Sequence, residues 1–448
     1  MKKVVAIMFM AFVFSAIISI SANHCFAGEV DSLIEKLVDK KILSPEEAQQ
    51  LADETNNEDK KQALEIPEWV GKMNFSGDLR LRHDTEWKDE GDDKYSRNRE
   101  RFRLRFGFKT KPTETTEVGV RLVSGAGEQN TTNQSADEHA RGKNIFIDRA
   151  YLTWKPASCI EVAGGKQKNP LFTSSLVWDS DVSPEGISES FNAKISDSVG
   201  LFANLGQWFL EELNVKDTDR DVTLLVYQLG SEIKASDNVS IQIAGTYYDF
   251  ANLDELGWKT GVLSDDDDFL GYNHKHSQQM IFDNKKKLLN EFGCWEIGAK
   301  VKIKKVLPVP VSIFATYLVN EKADTDELVE KGVDPGNSDP ADLLAYGGDD
   351  RDNGWLAGVS LGNEKKKGDW NMKYFYQELE DYAFPAVFVD SDFHGGGTNN
   401  KGHYVHGGYC LTDNIQAKAT GFFTKRENED KDGKKDEDRI QLDIIVKF

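Results

Sequence analysis

The chain has 448 residues, 29% of them charged and 39% hydrophobic, and carries a formal net charge of −21 at pH 7. So acidic a protein is a poor ligand for nucleic acid, and after the N-terminal segment no uninterrupted apolar run reaches the ~18 residues of a membrane helix. A β-barrel escapes that test, because its lipid-facing residues alternate with polar ones that face a wet lumen.

Lys2 and Lys3, the apolar run Val4 to Ile20, and Cys25-Phe26-Ala27 before Gly28 read as a secretory signal peptide, residues 1–27. Asn23 and His24 stand where a lipidated cysteine would need small residues. Cys159, Cys294 and Cys410 then remain, far apart and in no metal-ligand spacing, so neither a disulfide framework nor a zinc site is expected. Residues 28–68 read as a periplasmic helical segment. Leu33, Ile34, Leu37 and Val38 share one helical face, and Ser44-Pro-Glu-Glu47 opens a second short helix with a capping box.

From Met73 the period changes from helical to two, and residues 69–448 read as an all-β, sixteen-stranded antiparallel transmembrane barrel. In the first strand Phe75, Leu79 and Leu81 alternate with Asp78, Arg80 and Arg82; in the second Phe102, Leu104, Phe106 and Phe108 alternate with Arg99, Arg101, Arg103 and Arg105. The third turns Val118, Val120 and Leu122 outward and Arg121 inward. A polar loop, 125–143, leads to a fourth with Ala150, Leu152 and Trp154 out and Arg149 in, although Ile145 to Ile147 do not hold the register. The fifth runs from about Cys159 to Gln167. Further strands fall near 185–196, 198–208, 220–234, 238–250, 290–304, 309–321, 352–362, 369–380, 401–412, 414–425 and 438–448. Residues 223–233 can be phased either way, and both faces of 199–208 carry apolar residues. The last strand places Ile440, Leu442, Ile444, Val446 and Phe448 on one face, with Ile445 alone off pattern. Tight turns such as Ser196-Asp197-Ser198 and Thr412-Asp413-Asn414 are followed by long polar loops at 251–289, 322–351, 381–400 and 426–437. That sorting suits periplasmic turns on one rim and extracellular loops on the other.

Residues two apart in a strand share a face and neighbouring strands lie ~5 Å apart. Arg80, Arg82, Arg99, Arg101, Arg103, Arg105, Arg121 and Arg149 are therefore expected to form one basic wall lining the pore. Arginine stays charged at any relevant pH, so such a wall favours anions. Asp78, Asp84 and Glu117 share the inner face and neutralise some of it, but acids on these four strands are too few for every arginine. A barrel of sixteen strands leaves an aqueous channel that something must narrow. If the 170–184 loop folds inward, Asp179, Asp181 and Glu185 face the arginines across a constriction.

Asp265 to Asp268, and ten acidic residues in 322–352, read as solvated outer loops; no calcium-loop pattern is present. His394, His403 and His406 are too scattered for a metal. No nucleophile elbow, phosphate-binding glycine loop or metalloprotease motif occurs, so neither catalysis nor a cofactor is expected.

Phe75-Ser-Gly-Asp-Leu-Arg-Leu-Arg82, Arg99 to Phe106, Ile147-Asp-Arg-Ala-Tyr-Leu-Thr-Trp154, Gly165-Lys-Gln-Lys-Asn-Pro170 and Asp390-Ser-Asp-Phe-His-Gly-Gly-Gly397 together resemble the putative porin family of bacterial outer membranes, as does the helical lead with Lys41 to Glu47. The resemblance implies a sixteen-stranded porin, a homotrimer in contact with outer-membrane lipid and lipopolysaccharide, passing small hydrophilic solutes and ions. It is similar in outline to phosphate-selective porins, though no lysine cluster maps onto a phosphate site. The alternatives are a channel specific for one solute, such as phosphate or another anion, and a non-conducting barrel serving as envelope anchor or adhesin.

Overall fold

The computed structural model describes residues 44, 47, 68–90, 93–212, 221–253, 291–304, 308–323, 351–427 and 435–448. The chain divides into two units, Met1–Gly71 and Lys72–Phe448. In the first, the Ser44 N–H donates to Glu47 Oε2 at 2.9 Å and the Glu47 N–H to Ser44 Oγ at 3.2 Å, the reciprocal bonding of a capping box. One helical turn, α1 (Glu68–Gly71), follows. The signal peptide, the rest of the helical segment and Asp265 to Asp268 lie outside the described residues, as does most of 322–352.

The second unit is a single sheet. Its strands are β1 (Asn74–Glu90), β2 (Asp93–Thr110), β3 (Thr116–Ser124), β4 (Gln134–Ser135), β5 (Ile145–Ala157), β6 (Ile160–Lys166), β7 (Glu185–Lys194), β8 (Val199–Glu211) and β9 (Val222–Lys234). After these come β10 (Val239–Ala251), β11 (Gly293–Ile303), β12 (Val311–Asn320), β13 (Asn353–Gly362), β14 (Trp370–Leu379), β15 (Asn400–Cys410), β16 (Ile415–Arg426) and β17 (Lys435–Lys447). Each long strand pairs antiparallel with the next, β3 pairs with β5, and β17 returns to β1. The two-residue β4 pairs with β2 beside this ring, so the barrel closes with sixteen strands and no free edge. Gly77 and Phe448 exchange backbone hydrogen bonds of 2.8 and 3.0 Å, which seals the seam.

Two-residue alternation sorts the side chains as expected. Leu81, Leu152, Trp154, Leu229, Ile297 and Leu442 stand exposed on the outside, while Arg82, Asp84, Gln228, Glu296 and Asp443 are buried on the inside. The ends of β1 and β2 differ from the sequence reading. β1 and β2, at 17 and 18 residues, exceed the ~10 that cross a bilayer and pair antiparallel as far as Glu90 and Asp93, whereas β13 and β14 have ten residues each. Ile445, the residue off pattern in β17, is buried inside.

Part of the interior is dry. Trp208 of β8, Val222, Leu224 and Val226 of β9, Tyr248 and Phe250 of β10, Leu318 of β12 and Phe375 of β14 form one apolar cluster with residues from two loops, 167–184 and 380–399. That cluster is why β9 has two apolar faces: Tyr227 and Leu229 point out, while Val222, Leu224 and Val226 are covered from within.

Candidate functional site: a charged constriction inside the barrel

The β1–β2 register sets Asp78 opposite Arg105, Arg80 opposite Arg103, Arg82 opposite Arg101 and Asp84 opposite Arg99. On its other side β1 meets β17, where Arg82 faces Asp443 and Glu86 faces Arg439. These side chains form a lattice of both signs. Arg82 Nε donates to Asp443 Oδ1 at 2.7 Å and its Nη1 to Asp392 Oδ2 at 3.0 Å. Arg103 pairs with Asp78 at 2.6 Å, and Arg105 pairs with Asp181. Asp84, with no exposed side-chain surface, lies 2.7 Å from Arg99, 3.7 Å from Arg101 and 3.9 Å from Arg439. The acids on these four strands do not suffice for the arginines, yet most of the arginines are paired. The missing partners come from β17 and the inward loops, which the first strands could not reveal.

Arg121 and Arg149 are held by a β-bulge. The β3–β5 register shifts after Arg121, leaving Asp148 as the extra residue. Asp148 is buried between the two, pairing with Arg121 and lying 3.8 Å from Arg149, while Arg149 Nε donates to Ser183 Oγ at 3.2 Å. This insertion is the reason Ile145 to Ile147 broke the sequence pattern: Ile147 points out, and Asp148 and Arg149 then follow on the inner side.

The 167–184 loop crosses the lumen. Phe172 and Gln228 of β9 exchange backbone-to-amide bonds of 3.0 Å, and Thr173 Oγ1 donates to Glu296 of β11 at 3.0 Å. At the other end Asp181 reaches Arg105 of β2 and accepts from Thr132 N–H at 3.1 Å. Gly298 on β11 leaves room for the crossing, since a Cβ there would come within 3.2 Å of the Phe172 ring. Asp179 and Asp181 therefore lie inside the barrel. Glu185 does not: it begins β7 on the exposed side next to Ile187 and pairs with Lys166 at 2.5 Å. Strand alternation, which resumes at that residue, turns it outward.

The 380–399 loop, expected outside, also folds in. Phe384, Ala386, Val387, Phe388, Val389 and Phe393 are buried, which a solvated loop would not tolerate. Phe388 stacks on Trp178 at 4.9 Å, and the Asp179 N–H donates to the Phe388 carbonyl at 2.6 Å. Asp392 then completes the wall between Arg82 and Arg439, 3.2 Å from the latter. The apolar run Phe384 to Val389 was the available signal for this fold-back. His394 is buried here with Nδ1 2.9 Å from Thr424 Oγ1, His403 Nδ1 is 2.9 Å from the Tyr374 hydroxyl, and His406 Nε2 is 3.1 Å from Glu364. The three histidines thus have separate partners.

Between loops and wall lies a cavity of about 630 Å³ lined by both signs, Arg80, Arg82 and Arg103 together with Asp179, Asp390 and Asp392. The loop carboxylates are not alike. Burial, then the neighbouring Asp390 and Asp181 charges, raises Asp179 well above the usual range. Burial, then Asp392, pushes Asp390 up to about 6. Burial acts on Asp392 in the same sense, but the Arg82 and Arg439 guanidiniums prevail and hold it below the ordinary range.

The profile of the putative porin family matches residues 91–285 and 263–448. No curated protein matches the chain. Among solved structures, Salmonella typhi OmpF in complex with daunomycin is similar at 10% identity and a TM-score of 0.46, over 84% of this chain and 97% of that one. The high-pH structure of Pseudomonas putida OprB is similar at 12% identity and a TM-score of 0.49, over 85% of this chain and 96% of that one.

Proposed function

We propose, for a chain that belongs to the putative porin family, a water-filled outer-membrane channel through which small hydrophilic solutes diffuse passively, with a mild preference for anions. The observation that carries this reading is the meeting of two inward loops with the arginine wall around a cavity of about 630 Å³. Fixed charges at a constriction replace part of an ion's lost hydration and so set which sign passes. The preference is mild because most guanidiniums are already paired, Arg80 and Lys168 being cavity-lining cations that make no ion pair among the described residues. The dry cluster filling one side of the lumen favours, as a second reading, a channel selective for particular solutes over a wide general pore. Trimerisation, signal-peptide cleavage and contact with lipopolysaccharide belong to the same proposal, and no enzymatic step does.

The test is single-channel recording in a planar bilayer under a potassium chloride gradient, at about pH 7.5 and about pH 5. Asp390, pushed up to about 6, takes up a proton across that window, and the lumen loses a negative charge. The reversal potential is expected to move toward that of chloride as pH falls. A shift toward potassium would contradict the assignment of Asp390 to the conducting path.

A further inference from the structure

Once the pairs in the constriction are accounted for, charges of both signs are left over in one cavity. On the wall, Arg80 is 9% exposed. Its Nη2 donates to Asn133 Oδ1, its Nε has no partner, and it makes no ion pair among the described residues. On the loops, Asp179 accepts only backbone N–H groups, from Ser391 at 2.9 Å and Asp181 at 2.8 Å. Asp390 accepts the Asp392 N–H at 2.9 Å and, like Asp179, makes no ion pair among the described residues. All three line the same cavity. They do not neutralise one another, although their neighbours Arg82 and Asp392 do at 3.0 Å.

We propose that this cavity is a transit site for zwitterionic solutes of the α-amino-acid class, the carboxylate taken by Arg80 and the ammonium by Asp179 and Asp390. The inference rests on the channel reading and names its substrate class. A simple anion would satisfy Arg80 but meet two carboxylates, a simple cation would meet the arginine wall, and a neutral sugar would leave both signs unmatched. A solute carrying both charges answers both within the one cavity. Leu171 and Ile445, which line the same cavity, offer apolar surface to a small side chain.

The experiment is bilayer recording in potassium chloride with L-alanine, acetate or methylammonium added, counting solute-induced interruptions of the open current. L-alanine is expected to interrupt the wild-type current saturably, on the order of tenfold more often than acetate or methylammonium at equal concentration. Arg80→Gln, and separately Asp390→Asn, are expected to abolish that advantage while still conducting potassium chloride, which shows each variant folded and inserted. Acetate acting as strongly as L-alanine would reduce the site to an anion site and overturn the proposal. Steady current with no interruption by L-alanine would overturn it too, yet leave the channel reading standing. Absence of any current would remove both.

Discussion

Asp84→Asn is expected to destabilise the barrel by about 3–5 kcal/mol, the usual cost of removing one partner from a buried ion cluster. Asp84 has no exposed side-chain surface and stands within 4 Å of three guanidiniums, those of Arg99, Arg101 and Arg439. Asparagine fills the same volume, so the loss is electrostatic: three cations keep their desolvation and lose their common counter-charge. Glu117→Gln is the contrast, because its partner Lys109, 3.0 Å away, is largely solvent-exposed. That pair contributes about 0–1 kcal/mol. Urea titration of the folded form in detergent micelles compares the two, and equal midpoints would refute the cluster's role.

Trp178→Ala should cost about 3–5 kcal/mol, the range for truncating a large buried aromatic side chain, and should also loosen the constriction. Trp178 stacks on Phe388 at 4.9 Å, meets Trp208 edge-on at 5.2 Å and donates its indole N–H to the Val182 carbonyl at 3.0 Å. It therefore joins the 167–184 loop to both the 380–399 loop and strand β8 of the barrel. Without it the loops lose their shared apolar anchor, and the open current of refolded channels should become larger and noisier than that of wild type. A quiet, unchanged current at wild-type stability would mean that these loops are held by their polar contacts alone.

What the sequence disclosed follows from locality. Alternation in β1, β2, β5 and β17 is written in adjacent residues, so strand faces and the closing strand could be read directly. The direction of a loop is not periodic, and neither inward fold had a pattern to announce it. Composition still left traces: Leu176-Val177-Trp178 and Phe384 to Val389 are apolar where a solvated loop would be polar, and β9 was ambiguous because the loops bury its inner face. The charge balance was the least legible feature. Arg82 finds Asp443, 361 positions away, only because the barrel closes, and Asp148 enters the wall only through a one-residue bulge. Both partners depend on register, which no single strand records.

The most direct test of the account is the reversal potential of Arg80→Ser against wild type in a potassium chloride gradient at neutral pH. Arg80 is a buried cation of the wall with no ion pair among the described residues, so its removal leaves Asp179 and Asp390 facing Lys168 as the one remaining unpaired cation of the cavity among the described residues. Wild type should conduct with a mild anion preference, and Arg80→Ser should reverse the sign toward cations. Folded wild-type protein that carries no current, or a variant whose selectivity equals that of wild type, would contradict it.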